Sequence, residues 1–226
     1  MLAKALVGNG AEKVYIMGRR KEPLEKAQES LGPKVEIIVG DVSKKDDLVA
    51  AAAIVRSQVG YLNLLICNAG VLGPKVPPPS ESTSAEEWAA KNLEVPVEEY
   101  TKTLEINTTA VWYTTMAFLG LLDAGNKKGN LSQSSQVITI SSIGGFNKKA
   151  PGGWVYGQSK AAVTHLTKQM SVFLPTWKMR ANSIIPGRKP TRKRSPHPTK
   201  MLARMLTTGV SVSQRNVGLH RVGNES

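Results

Sequence analysis

Three side chains that could move a proton fall within one stretch, VITISSIGGFNKKAPGGWVYGQSK, at residues 137–160. Its apolar, β-branched beginning is typical of a buried strand, and this run ends at Ser141 and Ser142. Tyr156 and Lys160 follow at a spacing that places residues on one face of a helix, with Cβ atoms about 5–6 Å apart. A free phenol has a pKa of about 10, so a neighbouring ammonium that favours the phenolate makes it a better proton carrier at neutral pH. The stretch therefore predicts general acid–base chemistry by a tyrosine, a lysine and a serine hydroxyl.

The composition predicts a globular protein with a full hydrophobic core. Of the 226 residues, 41% are hydrophobic and 21% are charged, which is ordinary for a soluble domain. The single cysteine, Cys67, excludes an internal disulfide and a cysteine-built metal site. No apolar run reaches the roughly 20 residues that a membrane span needs, and the chain does not open with a signal-peptide pattern. We therefore expect a cytoplasmic protein without a membrane span or a metal ion.

The net charge of +13 is concentrated at the carboxyl-terminal end of the chain. From residue 188 onward, nine lysines and arginines face a single acid, Glu225, and they contribute +8 of the total. The basic cluster at 189–194 is the kind of run that binds nucleic acid or directs nuclear import. It lacks interleaved aromatic residues and a recognisable binding fold, which disfavours nucleic acid as a partner. We interpret residues 188–226 as a basic, irregular tail that follows one domain at 1–187.

Strands and helices alternate along that domain. Short apolar strands are predicted at 13–17, 35–39, 62–66, 137–140 and 181–185. Helices are predicted at about 2–10, 23–31, 45–59, 97–123 and 156–174, with Ser43 as the cap of the third, a surface excursion at 71–96 and a polar loop at 125–136. Because parallel strands that are apolar on both faces need helices on either side, the pattern predicts an α/β fold with a doubly wound, mostly parallel sheet.

The residues with unusual chemistry follow the ends of the predicted strands. They are Arg19, Asp41, Val42, Asn68, Ala69, Gly70, Ser141, Ser142, Pro186 and Gly187. Each motif is weak alone, since a Tyr-x-x-x-Lys spacing is usually a surface helix pair and Ser-Ser commonly just ends a strand. Ligands of such sheets bind beyond the carboxyl ends of the strands, so the order and placement of the set favour a cofactor site.

Further motifs extend the pattern. Asn107 lies in the long helix, Ser142 precedes Tyr156-Gly-Gln-Ser-Lys160, and Asn182 leads into Pro186 and Gly187. With these motifs the chain resembles the short-chain dehydrogenase/reductase family across residues 1–187. The resemblance implies a Rossmann-like fold, a nicotinamide cofactor, and hydride transfer between a small-molecule ketone and a secondary alcohol. It also implies a homodimer or homotetramer packed through the two long helices.

The same resemblance implies roles for four residues in proton transfer. Tyr156 would pass the proton to or from the substrate oxygen, and Lys160 would favour the Tyr156 phenolate and hold the nicotinamide ribose. Ser142 would hydrogen-bond the substrate carbonyl; it is chosen over its neighbouring serine because it lies three residues before Gly145. Asn107 would hold a water in the proton relay.

Cofactor contacts are implied at the other strand ends. Asp41 and Val42 would contact the adenine, residues 68–70 would line the cofactor cleft, and Pro186 and Gly187 would lie beside the nicotinamide. Arg19, with no acid until Glu22, suits the 2′-phosphate of NADP, whereas a carboxylate there would suit the ribose hydroxyl of NAD. We expect NADP, with NAD as the alternative; two solvated arginines in a loop remain the plainer interpretation of Gly18-Arg19-Arg20.

Two departures from the family leave an alternative function open. The family begins with a strand and a Gly-rich turn that cradles the pyrophosphate, and we expect both to be absent, which leaves neighbouring strands without backbone partners. After Gly187 the family's substrate-covering loop, helix and last strand are replaced by the basic tail, which reads like an unspliced or frame-shifted segment. The alternative is therefore an inactive remnant that keeps its proton-transfer residues but lacks the phosphate-binding loop.

Overall fold

The computed structural model describes residues 1–150 and 152–187. Within them the α-helices are α1 (Leu2–Gly8), α2 (Lys21–Leu31), α3 (Lys45–Gln58), α4 (Ala85–Leu93), α5 (Val97–Leu104), α6 (Ala110–Lys128) and α7 (Trp154–Phe173). The strands are β1 (Val14–Gly18), β2 (Val35–Val39), β3 (Leu64–Cys67), β4 (Gln136–Ile140) and β5 (Arg180–Ile184). None of the helices in the two described ranges is long and apolar enough to cross a membrane. The predicted tail at 188–226, with its basic cluster, lies outside the described residues.

The strands are parallel and alternate with helices, which confirms the predicted α/β class. Hydrogen bonding divides them into two sheets, β1 beside β2, and β3 beside β4 beside β5. In the described part of the chain, β1, β2, β3 and β5 each have a backbone partner on one edge, and β4 has partners on both edges. Because the strands within each sheet run in one direction, their carboxyl ends lie at the same edge of that sheet.

The main core is formed by β3 and β4 together with α3, α6 and α7. Its most completely buried side chains are Val55, Leu121, Leu122, Val137, Val163 and Met170. Fully burying one such side chain stabilises the fold by about 1.5–3 kcal/mol. This core fixes α6 and α7 against β4, and it thereby fixes the relative positions of Asn107, Tyr156 and the end of β4.

The prediction of one regular helix at 97–123 is wrong in two respects: the helix is interrupted, and it ends later than predicted. It consists of α5, a π-helical segment at Glu105–Thr109, and α6, which continues to Lys128. Gly125, expected to open a polar loop, lies inside α6, where a Cβ would collide with the carbonyl oxygen of Leu62. The glycine is therefore needed for close packing, and the helix ends instead at Gly129, which has a left-handed φ of 64°.

Ser43 does not cap α3, contrary to the sequence prediction. Its backbone N–H and its hydroxyl both donate to Asp41 Oδ1 at 2.9 Å, so the serine closes a turn on the preceding aspartate. The backbone N–H of Asp41 in turn donates to Asp47 Oδ2 at 2.7 Å. The first turn of α3 is thus held through a carboxylate rather than a serine cap.

The surface excursion at 71–96 contains a helix that the sequence analysis missed. Helix α4 begins after Ser84, whose hydroxyl oxygen accepts a hydrogen bond from the backbone N–H of Glu87 at 3.1 Å. A serine followed three residues later by glutamate is a helix-start pattern, so the sequence carried a usable signal. The excursion is therefore a structured element beside the site described next.

Candidate active site

The Tyr156 ring lies against two glycines, Gly144 and Gly152. A Cβ on Gly144 would lie 3.2 Å from ring atom Cε1, and a Cβ on Gly152 would lie 2.5 Å from ring atom Cδ1. The same Cβ position on Gly144 is 3.3 Å from the hydroxyl oxygen of Ser142, which accepts a hydrogen bond from the Gly144 N–H at 3.0 Å. The phenol ring and the serine hydroxyl therefore approach one glycine that has no side chain to separate them.

The two adjacent serines at the end of β4 have different surroundings. Ser141 is buried, its hydroxyl donates to the carbonyl oxygen of Lys160 at 2.9 Å, and it bonds the hydroxyl of Thr164 at 2.6 Å. Ser142 is half-buried, and its hydroxyl makes no hydrogen bond as a donor to any described residue. Ser141 thus fastens β4 to α7, whereas the Ser142 hydroxyl keeps its proton available for a ligand.

Lys160 is buried beneath Tyr156, with only 5% of its surface exposed. Its ammonium donates to the carbonyl oxygen of Ile140 at 2.7 Å and lies 5.9 Å from the centre of the Tyr156 ring. A Cβ on Gly70 would be 3.4 Å from Lys160 Nζ. Burial lowers the pKa of the Lys160 ammonium, because removal from water disfavours the charged form. A positive charge is thus placed between the end of β4, the turn after β3, and the phenol.

Asn107 lies in the π-helical segment and is almost completely buried, with 1% of its surface exposed. Its Nδ2 donates to the carbonyl oxygen of Val71 and to the hydroxyl of Ser159, both at 2.9 Å. Its Oδ1 accepts from the Val71 N–H at 2.8 Å. The side-chain amide is therefore occupied in clamping the segment after β3 onto α7. Ser159 was not predicted, since a small polar residue inside a helix carries no distinctive pattern.

Arg19 and Asp41 form a second cluster at the ends of β1 and β2. Arg19 Nη1 is 3.9 Å from Asp41 Oδ2, and the arginine side chain is 66% exposed. Hydrogen bonds from Ser43, together with the nearby charges of Arg19 and Lys102, hold the pKa of Asp41 below its usual value. The Lys102 ammonium also reaches the Ser43 hydroxyl at 3.3 Å. This cluster offers an exposed guanidinium beside a partly neutralised carboxylate.

The remaining predicted residues lie at strand ends with fewer contacts. Asn68 and Ala69 are exposed after β3, Gly187 is exposed after β5, and the carbonyl oxygen of Pro186 accepts from the Ile143 N–H at 3.1 Å. That last bond ties the end of β5 to the loop carrying the serines. Val42 lines a separate cavity of about 350 Å³ with, among others, Leu48, Thr109 and Tyr113.

The structure thus assembles Ser142, Tyr156, Lys160 and Asn107 into one cluster with Gly70. It places Arg19 and Asp41 in another, and Val42 lines a cavity that Ser43, the hydrogen-bond partner of Asp41, also lines. Residues 1–150 and 152–187 contain no group of three or more His, Cys, Asp or Glu side chains that could hold a metal ion.

Gly145 provides a test of this packing. A Cβ there would lie 2.7 Å from the backbone nitrogen of Ala161 and 2.8 Å from the carbonyl carbon of Lys160. Gly145→Ala must push the serine loop away from α7, and we expect the free energy of unfolding to fall by about 1–3 kcal/mol in urea denaturation. Gly8→Ala is the control, since nothing lies within 4 Å of its Cβ position. Equal stability of the two variants would contradict the packing.

This chain is similar to known proteins. The short chain dehydrogenase family matches residues 1–200, which runs past Gly187. The short-chain dehydrogenase/reductase PhomF of Diaporthe leptostromiformis is 42% identical over 193 residues, covering 84% of this chain and 66% of that protein. The chain therefore spans slightly less than two thirds of the length of that relative.

Two solved structures share the fold. One is the 3-ketoacyl-(acyl-carrier-protein) reductase of Brucella melitensis complexed with NADH, with a TM-score of 0.66, 23% identity, and coverage of 82% of this chain and 69% of that one. The other is the RhlG/NADP complex of Pseudomonas aeruginosa, with a TM-score of 0.67, 24% identity, and coverage of 89% and 70%. At these identities the likeness concerns the fold alone. The family match over residues 1–200 shows that this chain belongs to the short-chain dehydrogenase/reductase family.

Proposed function

We propose that this chain is an NAD(P)-dependent oxidoreductase that interconverts a ketone and a secondary alcohol, with Tyr156 as the general acid/base. Members of its family are oxidoreductases that bind NAD(P). The observation that carries the proposal is the surroundings of Tyr156. Its ring contacts Gly144 and Gly152, the Ser142 hydroxyl lies near Gly144, and the Lys160 ammonium lies 5.9 Å from the ring centre. Phenol, hydroxyl and ammonium are the groups that protonation of a carbonyl oxygen requires.

Each group has one task in this proposal. In the reducing direction Tyr156 gives its phenolic proton to the substrate oxygen, and Ser142 donates a hydrogen bond that orients the carbonyl. The buried ammonium of Lys160 favours the phenolate that remains. Both N–H groups of the Asn107 amide are occupied and its Oδ1 accepts one hydrogen bond, so the second lone pair of Oδ1 can accept from the water that we propose it holds. In the oxidising direction the proton moves from the alcohol to Tyr156.

The residues around this cluster fit a nicotinamide dinucleotide. Gly70 leaves the space beside Lys160 Nζ that a side chain would fill, so the ammonium can meet ribose hydroxyls at the turn formed with Asn68 and Ala69. We propose that Asp41 and Val42 hold the adenine end and that Pro186 and Gly187 flank the nicotinamide. When bound, the cofactor supplies or accepts the hydride.

We propose NADP as the preferred cofactor, on the basis of Arg19. Its guanidinium is 66% exposed and is only loosely paired with Asp41, at 3.9 Å, so it is free to meet a 2′-phosphate. NAD remains the alternative, since an exposed arginine does not by itself exclude a ribose hydroxyl.

Replacing Arg19 tests the preference. Arg19→Asp removes a charge-assisted hydrogen bond worth about 1.5–3 kcal/mol and adds a repelling carboxylate. We expect the ratio of NADH Kd to NADPH Kd, measured by calorimetry, to fall by about tenfold to a hundredfold. Arg20→Asp is the matched control and should leave the ratio near that of the wild type. An unchanged ratio in Arg19→Asp would leave both arginines as solvated loop residues.

The exposed side chains and the cysteine bear on assembly and location. We propose a homodimer or homotetramer through α6 and α7, supported by the exposure of Trp112 and Tyr113 on α6 and of Phe173 on α7. We propose a cytoplasmic location, where a free thiol such as Cys67 persists; burial raises the pKa of this thiol to about 12, which makes it unreactive.

Binding of the cofactor separates the proposal from its alternative. Calorimetric titration of the purified chain with NADPH, followed by assay of NADPH oxidation with a panel of ketones, is expected to show binding and turnover. Failure to bind either NADPH or NADH would contradict the proposal and would favour the inactive remnant.

A further inference from the structure

Ser159 is a completely buried serine between Tyr156 and Lys160 on α7, with 0% of its surface exposed. Its hydroxyl donates a hydrogen bond to the carbonyl oxygen of Tyr156 at 2.8 Å. The same hydroxyl accepts a hydrogen bond at 2.9 Å from Nδ2 of Asn107, in the π-helical segment. Ser159 therefore connects the backbone of the candidate acid to the side chain that clamps the segment after β3.

The π-helical segment holds Ser159 at a second point. The hydroxyl of Thr108, the residue after Asn107, donates to the carbonyl oxygen of Ser159 at 3.1 Å. π-Helical turns are rare and occur frequently at functional sites. Asn107 is itself fixed by two hydrogen bonds with the backbone of Val71. The position of Ser159 is therefore set by contacts from outside α7, through both its side chain and its backbone.

These hydrogen bonds reach the phenol through the Tyr156 backbone. A serine hydroxyl that bonds a carbonyl in the preceding turn of its own helix can bend that helix. Here the carbonyl belongs to Tyr156, the third residue of α7, whose ring has close contacts with Gly144 and Gly152. A change of backbone direction at Tyr156 would thus move the phenol relative to Ser142. Proton transfer needs the donor within hydrogen-bond reach of the substrate oxygen, and a misplacement of about 1 Å can lower a rate about 10²-fold.

We propose that Ser159 is a positioning residue, which holds the Tyr156 phenol in place for proton transfer. This inference rests on the proposed function, because it concerns the same tyrosine. Ser159 acts through the Tyr156 carbonyl and not on the substrate. Without its hydroxyl, that carbonyl loses a donor and a buried N–H of Asn107 loses its acceptor, and an unpaired buried group is costly. The turn that carries Tyr156 should then rearrange until the N–H finds another partner.

Ser171 offers a matched control on the same helix. Its hydroxyl donates to the carbonyl oxygen of Lys168 at 2.7 Å, with the same three-residue separation as between Ser159 and Tyr156. Ser171 is exposed, however, and this hydrogen bond stays within α7. Ser171→Ala therefore removes the same kind of hydrogen bond and leaves the connection to the π-helical segment intact.

The test measures catalysis and the surroundings of Tyr156 separately, with the full chain. The variants are Ser159→Ala, Ser159→Cys and Ser171→Ala, each checked for its fold by circular dichroism. A thiol is a weak hydrogen-bonding group, so Ser159→Cys replaces Ser159→Ala if the latter does not fold. Steady-state NADPH oxidation with a ketone gives kcat and KM. Fluorine NMR of protein labelled with 3-fluorotyrosine reports on the Tyr156 ring, whose signal is identified by its loss in Tyr156→Phe.

We expect Ser159→Ala to lower kcat about tenfold while KM for the ketone stays near the wild-type value. The fluorine signal of Tyr156 should shift in Ser159→Ala and stay in place in Ser171→Ala, which should also keep its kcat. An unmoved fluorine signal, an unchanged kcat in an active chain, or an equal loss in Ser171→Ala would overturn the inference. A signal that moves only in the Ser159 variant, in a chain that reduces no ketone, would support the positioning and contradict the proposed reaction.

Discussion

Tyr156→Phe is expected to lower ketone turnover by a factor of about 10²–10⁴, the usual contribution of a positioned general acid or base. The substitution removes one hydroxyl and keeps the ring, so the contacts with Gly144 and Gly152 survive. The free energy of unfolding and the Kd for NADPH should therefore stay close to those of the wild type. Steady-state assay of NADPH oxidation, urea denaturation and calorimetry measure the three quantities.

Tyr100→Phe is the matched control for this experiment. Tyr100 also carries a phenol that faces α7, where its hydroxyl donates to Gln158 Oε1 at 2.7 Å, but the contact is on the surface. Its removal should leave turnover near the wild-type value. A Tyr156→Phe variant that retains full turnover, or a Tyr100→Phe variant that loses as much, would show that another group moves the proton.

Lys160→Met is expected to have the second large effect, again a loss of turnover of about 10²-fold or more. Methionine keeps much of the apolar stem but removes the positive charge that favours the phenolate, and it removes the donor to Ile140. Lys168→Met, two turns further along α7 on an exposed position, is the control and should be active. Comparable activity in the two variants would contradict the role of the buried ammonium.

The same variant makes a prediction about pH and stability. Because burial lowers the pKa of Lys160, the native chain binds this proton less tightly than the unfolded chain does. Between the lowered native pKa and the ordinary value of 10.5 the unfolded state holds more protons, so this group makes stability rise with pH. The free-energy cost of burying the charged ammonium is fully present below that pH window, and it is absent above the window, where Lys160 is neutral in both states. In urea denaturation, the free energy of unfolding of the wild type should therefore rise relative to that of Lys160→Met as pH increases through this window. A constant or falling difference between the two free energies would contradict the burial of the Lys160 ammonium.

Much of the site could be predicted because it depends on local spacing. Tyr156 and Lys160 share a helix face by their separation alone, and short apolar runs located the strand ends to within a residue or two. Since parallel strands end at a common edge, the residues that follow them were expected to lie near one another. The structure brings Ser142, Tyr156 and Lys160 together, whereas Arg19 and Asp41 form a separate cluster.

Two predictions were wrong because the same residue type can have either of two structural roles. Glycine ends helices, but Gly125 is inside α6 because the Leu62 backbone approaches it closely. Serine caps helices, but Ser43 instead bonds Asp41. The choice between the two uses depends on what packs against the residue, which local sequence does not contain.

Other features depend on contacts between distant parts of the chain. The Asn107 amide clamps Val71, 36 residues away, and Ser159 on α7, 52 residues away. The division of the strands into two sheets likewise follows from which backbone edges find partners. The capped start of α4 at Ser84 is different, because Ser84 and Glu87 were readable in the sequence and were overlooked.

Transfer of a labelled hydride tests the central claim most directly. The wild-type chain is incubated with an aromatic ketone and NADPH that carries deuterium on the transferable position of the nicotinamide, and the product is analysed by mass spectrometry. We expect a secondary alcohol with one deuterium on the carbinol carbon, formed by the wild type and reduced to trace amounts in Tyr156→Phe. An alcohol without deuterium, equal labelling by Tyr156→Phe, or no alcohol at all would contradict the assignment of this site to carbonyl reduction.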